Sequence, residues 1–184
     1  INNADQAVAT TSVAGADINV ADAWKLTAGN PEVIVAIVDE GVKYTHPDLA
    51  ANMWINPNPS PEYKNQDIHG WNFAADGPIS WGQKGDSGHG THVAGTVAAV
   101  NNNGIGVCGV AGGTGKGDGV RLMSCQIFSG DLTGDALVSS RAVKYAADHG
   151  ASILQCSWGI KAGIYTSDNM FIKQSPMDLS LIHI

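Results

Sequence analysis

Val33-Ile34-Val35-Ala36-Ile37-Val38 is an unbroken apolar run, β-branched at every position but Ala36. Asn30-Pro31 punctuates it before and Glu40-Gly41 after. A short β-branched run between turn signals predicts a strand buried on both faces, the habit of a parallel sheet. Asp39 follows directly, at the carboxyl end of that strand. Open parallel sheets bind ligands beyond the carboxyl ends of their strands, which makes Asp39 a candidate site residue. A lone aspartate there can equally cap the following turn.

The flanking sequence supplies partners for this strand. Val20 to Ala28 reads as a short amphipathic helix with Trp24 inward. Residues 50 to 88, rich in Asn, Pro, Gly, Asp and aromatics, read as a long surface loop region. His89 to Val100 carries Val93, Ala94, Val97, Ala98 and Val100 at helical spacing, and Asn101-Asn102-Asn103-Gly104 ends it. Val120 to Ile127 predicts a second buried strand. Thr133 to Asp148 predicts a helix with Ala136, Leu137, Ser140, Val143 and Ala147 on one face, closed by His149-Gly150. Ser152 to Cys156 predicts a third strand. Strands alternating with helices imply right-handed βαβ units in an α/β, doubly wound parallel sheet.

Composition narrows the function classes. The chain has 184 residues, 43% of them hydrophobic, enough for one domain with a core. Its net charge of −7 argues against a nucleic-acid or acidic-membrane partner, which needs basic patches. No apolar run approaches the roughly 20 residues of a membrane-spanning helix. Ile1-Asn2-Asn3-Ala4-Asp5 has neither a basic nor an apolar leader region, so no signal peptide is visible and the chain reads as starting internally. Cys108, Cys125 and Cys156 are too few and too scattered for a disulfide framework, and their apolar neighbours predict buried structural thiols.

The chemistry sharpens at Gly88-His89-Gly90-Thr91-His92-Val93-Ala94-Gly95-Thr96, which sets a histidine at a helix start among small residues. Those neighbours leave the ring open and let the helix pack closely. Acyl transfer by a serine needs an imidazole to take the serine proton, and a carboxylate to fix its tautomer and stabilise its charged form. Asp39 and His89 suit those two tasks if their elements adjoin. His89 and His92 as a metal pair carry little weight, since zinc helices use an i, i+4 pair with a glutamate between. Gly112-Gly113-Thr114-Gly115-Lys116-Gly117 lacks the earlier glycine and the terminal Ser or Thr of a phosphate loop, and reads as a flexible surface loop. A nucleotide-binding Rossmann domain fits the βαβ pattern but lacks Gly-x-Gly-x-x-Gly after the first strand.

Ile37-Val38-Asp39-Glu40-Gly41-Val42 and the histidine segment, continued through Val97-Ala98-Ala99, resemble the aspartate and histidine motifs of the subtilisin (subtilase) family. His46-Pro47-Asp48-Leu49, Gly106-Val107-Cys108-Gly109-Val110-Ala111-Gly112 and Ser157-Trp158-Gly159 resemble further family segments in the same order. The resemblance runs from about Ala16 to Gly159. It implies a subtilisin-like three-layer α/β/α fold, here truncated. It implies a serine endopeptidase of peptidase family S8 acting on protein or peptide substrates, monomeric, and secreted or at the cell surface. Catalysis falls to Asp39 and His89, with no cofactor in the reaction, and His92 becomes a buried structural residue. Ser157, Trp158 and Gly159 become one wall of the primary substrate pocket, with Ser129 to Gly134 facing it; a strand exit with a packed Trp is the alternative. Asp48, the Asn103 side chain and the carbonyls of Ile105 and Val107 resemble a structural calcium site, with an Asn-rich helix exit as the alternative. Glu40 departs from the family, which often has Ser or Thr there.

No Gly-Thr-Ser-Met/Ala-Ala-Pro motif and no Ala-Gly-Asn segment occurs, so the serine and the oxyanion asparagine are missing from these residues. Residues 1–178 therefore read as a partial catalytic domain. Leu179-Ser180-Leu181-Ile182-His183-Ile184 resembles a translated sequencing adapter and reads as a non-native tail. The rival from another class is a non-catalytic subtilase-like binding module.

Overall fold

A computed structural model describes residues 15–159; the 179–184 tail lies outside the described residues. The elements run α1 (Val20–Ala23), β1 (Ile34–Glu40), β2 (Gly70–Asn72), α2 (His89–Ala98), β3 (Arg121–Ser129), β4 (Leu132–Thr133), α3 (Ala136–Asp148) and β5 (Ala151–Gln155). The sheet order is β2-β3-β1-β5, all parallel, with β4 an antiparallel addition to β3. The apolar run of β1 thus lies between two strands, as its lack of polar residues requires.

Alternation along β1 builds the layers. Val35 and Ile37 join Val93, Ala94 and Ala98 of α2 in one buried cluster. Ala36 and Val38 join Ala142, Tyr145 and Ala146 of α3 in the other. Successive side chains of a strand point to opposite faces, so the sheet is covered by α2 on one side and α3 on the other. Asp39 continues the odd-numbered series and faces α2.

Residues 50 to 88 depart from the surface loop expected of them. They contain β2, and Trp54, Trp71 and Phe73 are buried in the α3-side cluster. Wholly buried Asp67 accepts from Asn56 Nδ2 at 2.8 Å, Ser60 N at 3.1 Å and Tyr145 Oη at 3.0 Å, which ties the segment to α3. Three residues bounded by Gly70 and Asn72 are too short to show a strand period, and the aromatics carry the packing instead.

Other boundaries shift. The first helix covers only Val20–Ala23, although Trp24 does turn inward and donates Nε1 to the Val110 carbonyl at 2.8 Å. The third helix begins at Ala136, because Leu132 and Thr133 pair with β3 and Asp135 caps the helix by accepting from Val138 N at 2.8 Å. Its buried face is Ser139, Ala142, Val143 and Ala146 with Tyr145, and Leu137 is exposed. Small residues win that face because the helix packs closely on the sheet. Of the three cysteines only Cys125 is buried; Cys108 and Cys156 are exposed free thiols. No helix among the described residues is long and apolar enough to cross a membrane.

Candidate active site

Three chain segments meet at the carboxyl end of β1. The strand delivers Asp39, 1% exposed, toward the start of α2. The helix is seated there by Gly90, which is buried against the Glu40 backbone. His89, the first residue of α2, turns its ring back over the strand end, with Nδ1 2.8 Å from Asp39 Oδ1. A carboxylate only accepts, so Nδ1 carries the proton and Nε2 keeps its lone pair. Nε2 has no hydrogen-bond partner among the described residues, and the side chain is 47% exposed. The hydrogen bond to Asp39 raises the His89 pKa above its ordinary value, with partial burial working against it and the charges of Asp39 and Glu40 adding to it.

Asp39 is tightly held. Its Oδ1 also accepts from Glu40 N at 2.7 Å, while Oδ2 is buried with no hydrogen-bond partner. Cys156, just past β5, is exposed as a residue but its sulfur is partly withdrawn from water; that desolvation first, and then the Asp39 charge, raise its pKa, so it is a neutral thiol at neutral pH.

Glu40 is the residue that sequence reasoning undervalued. It accepts from Ser87 N (3.2 Å), Ser87 Oγ (2.9 Å) and His89 N (2.9 Å). Burial opposes its charge, but these donors outweigh burial and hold the carboxyl below its ordinary range. The available signal was the departure itself: an acidic residue at a position where the family often has Ser or Thr.

Ser157, Trp158 and Gly159 leave β5 at the same sheet edge as Asp39. Trp158 is half-buried, donates Nε1 to the Val38 carbonyl at 2.7 Å and meets the Phe128 ring edge-on at 6.3 Å. Ser157 and Gly159 are exposed. Across the edge, Gly130 N donates to Asp86 Oδ1 at 2.6 Å, tying the 129–134 turn to the loop that precedes His89. His92 is exposed, contrary to the buried role expected for it. One turn after His89, it points away from the packed face formed by Gly90, Val93 and Ala94.

Of the candidate calcium ligands, Asp48 and Asn103 meet directly, while Val107 meets Asp48 through its N–H. Asp48 is 3% exposed with no ion-pair partner among the described residues. Asn103 Nδ2 donates to its Oδ1 at 2.7 Å and Val107 N to its Oδ2 at 2.8 Å, while Ile105 N donates to Asn103 Oδ1 at 3.1 Å. A Cβ on Gly106 would stand 1.9 Å from Asp48 Oδ2, so the loop closes tightly over the carboxylate. Both Asp48 oxygens thus accept from N–H groups of this loop, and a hard cation, which takes oxygen ligands, would need the Asn103 amide to present its oxygen instead.

Comparison with known proteins adds the following. The family model described as Subtilase family (peptidase S8) matches residues 30–179. Halolysin of Haloferax mediterranei is 33% identical over 142 residues, which are 77% of this chain and 24% of halolysin. Thermitase of Thermoactinomyces vulgaris is 32% identical over 146 residues, 79% of this chain and 44% of thermitase. The serine protease of Aeromonas sobria, solved with its chaperone, superposes with a TM-score of 0.61 at 24% identity, covering 85% of this chain and 23% of that one. The chain thus spans less than half the length of these relatives.

Proposed function

This chain belongs to the subtilase family, and on that footing we propose that the protein carrying it is a serine endopeptidase in which His89 is the general base and Asp39 orients it. The observation that carries the reading is the 2.8 Å contact between His89 Nδ1 and Asp39 Oδ1, which leaves Nε2 free at an exposed edge. Nε2 takes the proton of a serine hydroxyl as its oxygen attacks the peptide carbonyl. It returns that proton to the departing amine, and water then hydrolyses the acyl-enzyme by the same route. Asp39 stabilises the imidazolium throughout. The serine and the oxyanion donor come from sequence outside these residues, a reading that the greater length of the relatives supports.

Ser157, Trp158 and Gly159 form one wall of the substrate pocket and the 129–134 turn forms the other. Their support is position: both lie at the sheet edge that holds Asp39. The substrates are proteins or peptides, and a secreted or cell-surface location belongs to the same reading.

A phosphonofluoridate probe distinguishes this from a non-catalytic binding module. The full-length protein is expected to hydrolyse an unstructured protein such as casein and to lose that activity on labelling at one serine. The 184-residue chain alone is expected to do neither. A full-length protein that binds peptide without cleaving it and takes no label would overturn the proposal.

Calcium held by the Asp48 carboxylate, the Asn103 side-chain oxygen and the carbonyls of Ile105 and Val107 is proposed as a structural ion. It plays no part in the reaction. A cation bound only by the folded form stabilises it by mass action, about 2.7 kcal/mol at a hundredfold excess over Kd. EDTA is therefore expected to lower the Tm of the full-length protein by several degrees, and Asp48→Asn to remove that dependence. An unchanged melting curve would count against the site.

A further inference from the structure

We propose that Glu40 is a positioning residue for His89: it caps the N-terminus of α2 from the end of β1 and adds to the negative charge that favours an imidazolium there. The proposal rests on the reading of His89 as general base.

The geometry begins with a deficit. Gly88, the residue that would normally cap α2, sits at φ 79° and has no side chain to accept from the first turn. The leading N–H groups of a helix have no partner within it. Glu40 fills the gap from another element, with Oε2 taking His89 N at 2.9 Å and Oε1 taking the Ser87 hydroxyl at 2.9 Å. Glu40 is the last residue of β1, and its side chain reaches round the strand end to the segment that enters α2. Two consecutive carboxylates of β1 therefore grip one residue, Asp39 by its ring and Glu40 by its backbone.

The electrostatic consequence follows from where His89 sits. A helix N-terminus carries about half a positive charge, which opposes the imidazolium that His89 becomes during each transfer. Glu40 places a full negative charge on that terminus. Asp39 and Glu40 are the charged groups that act on the ring. Cys156, facing Asp39 from the end of β5, is neutral.

Two variants of the full-length protein test this. Glu40→Gln keeps an acceptor oxygen and removes the charge; Glu40→Ala removes both. Both are expected to shift the His89 titration, followed by NMR of the imidazole, to lower pH, and to shift the acid limb of kcat/KM with it. Glu40→Ala is also expected to lose about ten- to a hundredfold in plateau kcat with little change in KM, the scale of a misplaced catalytic group. Glu40→Gln is expected to recover part of that loss. If His89→Ala abolishes hydrolysis while the Glu40 variants keep the wild-type His89 titration and pH profile, the Glu40 proposal fails alone. A lower Tm without a pH shift overturns it too. If His89→Ala stays active, the underlying reading of His89 fails instead.

Discussion

His89→Ala in the full-length protein is expected to lower kcat toward a peptide substrate by on the order of a million-fold, the scale on which loss of the base acts in subtilisin-type triads. KM should change little, because the ring acts on the proton in flight and not on the resting substrate. Asp39→Asn should cost about ten-thousandfold, since an amide at that position presents no carboxylate to keep the proton on Nδ1. Wild-type activity should fall as pH falls through the raised His89 pKa, because only the neutral ring can accept a proton. The stability contribution runs the other way. Asp39 favours the charged ring, so that contribution is full below the unfolded value of about 6.5 and vanishes as pH rises through the folded pKa. The protein is thus most active where this pair has ceased to stabilise it. Fluorogenic peptide hydrolysis across pH checks both parts; a fully active His89→Ala protein removes the assignment.

Gly90→Ala is expected to damage both stability and rate without touching a reacting group. A Cβ there would stand 2.0 Å from the Glu40 carbonyl oxygen and 2.7 Å from its carbon. Both are backbone atoms of a strand held from two sides, so the helix must withdraw. Overpacking of this kind costs about 1–3 kcal/mol or more, and displacing the base by an ångström costs on the order of a hundredfold in rate. Gly95→Ala, in the same helix, is the control. Its Cβ would meet nothing within 4 Å, and replacing a mid-helix glycine gains up to about 1 kcal/mol. The Tm of the two variants should therefore move in opposite directions, and kcat should fall only for Gly90→Ala. Equal behaviour would mean that α2 is not seated by Gly90.

Much of this was legible in the sequence because burial on both faces leaves an unmistakable record. The Val33–Val38 run predicted a central strand, and Asp39 and His89 were singled out from residue type and position before their elements were seen to meet. The β2 segment was not legible, since Gly70-Trp71-Asn72 has no room for a period and its aromatics look like loop composition. The face of α3 was misjudged because Leu137 outweighs Ser139 and Ala142 by hydropathy, whereas close packing on the sheet selects for size. Glu40 was noticed as a departure, but its role was not legible. Its role depends on contacts with Ser87 and His89, nearly fifty residues further along the chain, which no pattern within the strand announces.

The sheet order also sets a schedule. Ile34 pairs with Arg121 and with Ala151, so the central strand emerges first and its neighbours far later. At roughly 5–20 residues per second of synthesis, the interval to the nearer partner is about 4–17 s. Throughout that time a bare apolar β-branched run, of the kind that aggregates, has no strand beside it. Distant parallel pairing is intrinsically slow to close, so the stretch that organises the finished fold is the one most in need of protection during biogenesis.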